Sequence, residues 1–102
     1  MITRNYPSCN IIGNGKLNND VSFKIIDLSA ERIRIKTDAP IKIKHNVNLA
    51  VSLDAGLFEI TIKSKGFVSQ KVPEGYEIKF TDISDIDRNE INELMKSSCN
   101  ID

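Results

Sequence analysis

The sequence contains no tryptophan, one histidine, two cysteines, three prolines and five glycines among its 102 residues. Each scarcity excludes something. The single histidine, His45, lies between Lys44 and Asn46 with no carboxylate or cysteine close in sequence, so it reads as a surface or packing residue rather than a general base. No HExxH, GxSxG or Walker-type loop occurs, and neither catalysis nor a resident cofactor is expected. Cys9 and Cys99 form no CxxC pair and have no histidine cluster nearby, so neither a zinc site nor a disulfide framework is expected. No apolar run approaches the length that spans a bilayer, and no secretory leader pattern is present, so the expected location is cytoplasmic. Charge of one sign is also lacking. Fourteen basic residues balance fourteen acidic ones, with a pI near 6.6. Bulk attraction to nucleic acid or membrane is therefore excluded, and any basic site must be local.

The chain has one domain's worth of residues, 40% of them hydrophobic and 27% charged, an ordinary globular balance. Charge is distributed unevenly: residues 1–50 hold 8 Lys/Arg against 4 Asp/Glu, and residues 51–102 hold 6 against 10. Either solvated faces that pair with each other or an anionic-ligand site in the first half accounts for this.

Isoleucine and valine supply 21 residues, and their Cβ branching favours extended chain. Val21, Phe23 and Ile25 alternate with polar residues on the way to Asp27. Arg32-Ile33-Arg34-Ile35-Lys36 has period two, with isoleucines on one face and cations on the other. Ile41 to Lys44 repeats that pattern after Pro40. Val47, Leu49, Val51 and Leu53 form one arm of a hairpin turning at Asp54-Ala55-Gly56. The other arm starts at Phe58, Ile60 and Ile62 and runs on through Val68, with Gly66 a candidate bulge. Pro73-Glu74-Gly75 marks a turn before Tyr76, Ile78 and Phe80. Near the start, Ile11 and Ile12 open a strand that Gly13-Asn14-Gly15 is expected to end as a turn.

The period changes at Ile83, Ile86, Ile91, Leu94 and Met95, which predicts a helix near residues 85–97 with Ser84 as its N-cap. Asp82, Asp85, Asp87 and Glu90 lack calcium-loop register and read as the negative start of that helix. The expected fold is all-β dominated: a small six-stranded antiparallel barrel with one C-terminal helix over an opening, occupying residues 11–102 behind a flexible arm at 1–10.

One turn carries a motif. Asp27-Leu28-Ser29-Ala30-Glu31-Arg32 resembles the DxSxxG signature of PilZ domains, bacterial receptor modules for cyclic di-GMP, with Arg32 in place of the glycine. Gly75-Tyr76-Glu77-Ile78-Lys79-Phe80, followed by Thr81-Asp82-Ile83 and Asp87-Arg88, is similar to the family's last strand and the start of its helix. Arg4-Asn5-Tyr6-Pro7-Ser8 resembles the RxxxR arm, with Ser8 at the second arginine position. The resemblance covers about Arg4 to Lys96.

The resemblance implies that Arg4 forks a phosphate or guanine, and that Asp27 and Ser29 hydrogen-bond a guanine edge. Capping of their own turn is the other reading of Asp27 and Ser29. Arg32 either obstructs the base or, with Arg34 or Lys36, restores the missing cation. The function so implied is a non-catalytic bacterial regulatory module with a degenerate cyclic di-GMP site, acting through protein contacts in motility, pilus or surface-attachment control. Its arm would order onto the barrel when ligand binds. Two other readings are a ligand-independent adaptor, which outward-facing Ile91 or Met95 would favour, and a small barrel for single-stranded nucleic acid. Phe23, Phe58 and Phe80 argue against the latter, because their alternation marks them as core.

Overall fold

The computed structural model describes residues 13–54 and 59–98. Six strands, β1 (Gly13–Leu17), β2 (Val21–Leu28), β3 (Arg32–Lys36), β4 (Asn46–Asp54), β5 (Glu59–Val72) and β6 (Gly75–Asp82), precede one helix, α1 (Asp85–Ser98). All pairings are antiparallel, and the order β1-β2-β3-β6-β5-β4 closes where β1 pairs with β4. Closure leaves no strand at the edge of an open sheet, which protects a small barrel from templating other chains.

Alternation places Ile33, Ile35, Leu49, Val51, Leu53, Ile62, Val68 and Ile78 inside, all nearly or fully buried. Each large aliphatic side chain removed from water contributes about 1.5–3 kcal/mol. Ile91, Leu94 and Met95 of α1 join the same cluster. The helix starts as expected, with the Asp87 N–H donating to Ser84 Oγ at 3.1 Å and Asp85 and Asp87 in the first turn. Arg88 Nη1 donates to the Ala30 carbonyl at 3.3 Å and meets Glu31 Oε2 at 3.4 Å, fastening α1 to the β2–β3 turn. Gly66 does sit at a register shift between β5 and β6.

Two expectations need correction, and one condition set for the adaptor reading is not met. Gly13-Asn14-Gly15 is the first part of β1, not a turn. These glycines are required by proximity: a Cβ on Gly15 would run into the Ala50 carbonyl oxygen and come within 2.8 Å of the Phe23 ring, which pairs across from it. The turn comes later, at 18–20, where Asn18 and Asn19 take positive φ (54° and 59°) and the Asp20 N–H donates to the Leu17 carbonyl. Asparagine tolerates that conformation better than other residues with a Cβ.

Ile41 to Lys44 is not a strand. In the closed order β3 lies between β2 and β6 and β4 between β5 and β1, so residues 37–45 cross from one part of the barrel to another rather than adding a strand to it. The segment is held instead by Ile41 N–H to the Tyr76 hydroxyl at 3.1 Å and by exchange of backbone bonds with Val68 from Lys44 and His45. Ile91 and Met95 do not face outward; they are 0% and 3% exposed. The expected arm at 1–10, with Arg4, Ser8 and Cys9, lies outside the described residues, as do Ile11, Ile12, Phe58 and Cys99.

Candidate functional site

Asp27 reaches the outer surface through an irregularity. Lys24 pairs with Lys36 and Ile25 with Ile35, but the next pair is Asp27 with Arg34, leaving Ile26 as an extra residue in β2. Uninterrupted alternation from Phe23 and Ile25 would have aimed Asp27 into the core. The bulge inverts the phase, so Asp27 faces out and Leu28 becomes the buried residue.

On that outer face β3 meets β6, and Arg34 pairs with Glu77. Arg34 Nη1 lies 3.3 Å from Asp27 Oδ2, and its Nε lies 3.3 Å from Glu77 Oε1. Arg32 Nη1 approaches the same Glu77 oxygen at 3.7 Å. Ser69 Oγ lies 3.2 Å from the other carboxylate oxygen and 3.1 Å from the Glu77 carbonyl. Glu77 is 3% exposed although it points away from the barrel interior, because the arginine side chains cover it. Burial by itself would raise its pKa. The Arg34 hydrogen bond, the Arg32 charge and hydrogen bonds from Gln70 and Ser69 outweigh that, and the carboxyl is held below its ordinary value.

Ser29 is occupied within its own turn. Its Oγ accepts from the Glu31 and Arg32 amides, both at 3.2 Å, while its own N–H donates to the Arg32 carbonyl at 2.9 Å. The side chain is buried. Asp27 is committed through one oxygen only; Oδ1 is buried without a hydrogen-bond partner among the described residues. Arg32 stands in β3 and is not among the described non-glycine residues with positive φ, so the backbone here does not call for glycine.

The structure thus brings Asp27, Arg32 and Arg34 together, sets Ser29 in the adjoining turn, and leaves Arg4 outside the described residues. Sequence reasoning assigned no role to Glu77 or Ser69. The signal for Glu77 was a lone carboxylate at an outward position between inward Tyr76 and Ile78, legible only once β6 is known to lie beside β3. His45 is exposed. Phe23 is buried and Phe80 packs against the core, so neither offers a stacking surface for bases. Among the described residues no three His, Cys, Asp or Glu side chains cluster as for a metal ion, and no helix is long and apolar enough to cross a membrane.

The chain is a closed antiparallel six-stranded barrel with a C-terminal helix. The sequence matches no family profile and no curated protein. Among solved structures the chain is similar to the Bacillus subtilis inhibitor of motility (MotI/DgrA), with a TM-score of 0.79 at 13% identity over 98% of this chain and 53% of that one. It therefore spans about half the length of that protein, and the likeness supports a PilZ-like fold.

Proposed function

We propose that this chain is a non-catalytic PilZ-like regulatory module of motility, with a weak or inactive cyclic di-GMP site, that acts through protein contacts. The observation that carries the reading is the engagement of both Arg32 and Arg34 by Glu77. A dianionic cyclic dinucleotide needs free guanidinium forks, and here an internal carboxylate occupies them. Ser29 is likewise spent on its turn. Similarity to an inhibitor of motility supports the regulatory part of the reading.

Arg4, with Asp27, would supply what affinity remains, since β1 enters the barrel beside Lys24, three residues before Asp27. Loss of one charge-assisted contact at Ser8 costs about 1.5–3 kcal/mol, roughly 10- to 100-fold in affinity. Calorimetry with cyclic di-GMP tests this. Weak binding by the wild type that Arg4→Ala abolishes is the expected result; tight binding indifferent to Arg4→Ala overturns it. The second reading, a ligand-independent adaptor, draws on the same closed arginines and on Ile86, which is 72% exposed on α1. Complete absence of binding by the wild type and by a Glu77→Gln variant alike would favour it.

A further inference from the structure

The three outward cations of β3 are treated differently by their neighbours. Arg34 has Asp27 on one side and Glu77 on the other, whereas Lys36 has Lys24 on one side and Gly75 on the other. Lys24 and Lys36 are thus directly opposed in an antiparallel pair, where Cβ atoms lie about 4.5–5.5 Å apart and like charges repel. Lys16 stands on the next strand on the same outer face, opposite Ser22. Among the described residues none of the three lysines forms an ion pair. All three line a groove of about 780 Å³, whose one carboxylate is Asp38 and whose other polar groups include Asn14, Ser22 and Thr61.

We propose that this groove binds the phosphoryl group of a small molecule, with Lys24 and Lys36 holding the anion between them and Lys16 adding a third charge. A compact dianion relieves the repulsion that the sheet register imposes, and ammonium groups bind phosphate as point charges without a fixed fork. The groove volume lies within the range of small-ligand sites, and its hydroxyl and amide groups supply further hydrogen bonds. The site differs from the Asp27–Glu77 cluster and does not depend on cyclic di-GMP binding there.

The test is a nuclear magnetic resonance titration of the isotope-labelled protein with inorganic pyrophosphate, against sodium chloride at matched ionic strength. Saturable shifts are expected at residues 14–16, 22–24 and 36–38, with none at Arg32, Arg34 or Glu77, and the Lys24→Gln/Lys36→Gln double variant loses them. A parallel titration with ADP separates sources: earlier saturation than with pyrophosphate assigns the rest of the groove to a nucleoside, and equal saturation assigns the site to phosphate alone. Shifts that follow ionic strength only, or that persist in the double variant, overturn the proposal. Both lysines are exposed, so the variant keeps its fold, and its melting temperature without anion rises as repulsion is removed. A fall would show that the lysines stabilise the sheet and would contradict the proposal at its base.

Discussion

Arg34 and Glu77 face each other across the β3–β6 pairing with Nε 3.3 Å from Oε1, and this contact closes the cationic face next to the motif turn. Glu77 also holds Arg32 and accepts from Ser69. One carboxylate therefore holds three side chains of the site, Arg32, Arg34 and Ser69, and the consequences of changing it differ from those of changing its neighbours.

Glu77→Gln should destabilise the fold by about 1.5–3 kcal/mol, the range for losing hydrogen bonds to a charged group. The loss should depend on pH. The folded-state pKa of Glu77 lies below its ordinary value of 4.5, so its contribution is fully present above that value and disappears as pH falls through the folded pKa. Urea melts of wild type and variant should differ by a constant amount from pH 7 to pH 5 and converge in stronger acid. A gap that widens in acid would mean the carboxyl is destabilised in the fold.

Asp27→Ala should be nearly neutral, within about 1 kcal/mol. Among the described residues its one ion pair is to an arginine that is 36% exposed and retains Glu77, and its Oδ1 is buried without a partner, so removal also relieves a desolvation cost. Chemical denaturation checks this, and a loss approaching that of Glu77→Gln would show that Asp27 is equally structural.

Ser29→Ala should cost about 1–2 kcal/mol, because the Glu31 and Arg32 amides lose their acceptor in a partly buried turn. Thermal melts should show the drop, and Ser29→Thr, which keeps the oxygen, should recover part of it.

Gly15→Ala should destabilise the barrel through packing rather than through lost polar contacts. The new Cβ would collide with the Ala50 carbonyl and press on the Phe23 ring, and overpacking of this kind costs about 1–3 kcal/mol even where the structure can shift. Proteolysis and melting of the variant measure the effect directly.

Most of the barrel was legible in local patterning. Ile33 and Ile35, the alternation from Val47 to Leu53, the run through Ile60 and Ile62, and the Ser84 cap each state their element without reference to the rest of the chain. The failures are non-local. Gly13 and Gly15 look like turn residues until Phe23 and Ala50 are placed against them. Ile41 and Ile43 alternate like a strand, but they fall in the crossing between β3 and β4, which are not neighbours in the closed order. Ile26 is the third β-branched residue of β2, after Val21 and Ile25, and nothing in the local sequence says that it is the one to bulge. Asp27 and the two arginines stood out because the motif turn and β3 are adjacent in sequence. Glu77 did not, because it reaches them through a strand pairing 43 residues away.

The claim that Glu77 closes the arginine face is tested most directly by calorimetry with cyclic di-GMP on wild type and Glu77→Gln at neutral pH, under conditions where both are folded. The account predicts weak or no binding by the wild type and a gain of about tenfold or more in the variant, the value of one freed charge-assisted contact. Tight binding by the wild type, unchanged or lowered in Glu77→Gln, would contradict it, because the carboxylate would then belong to an open site.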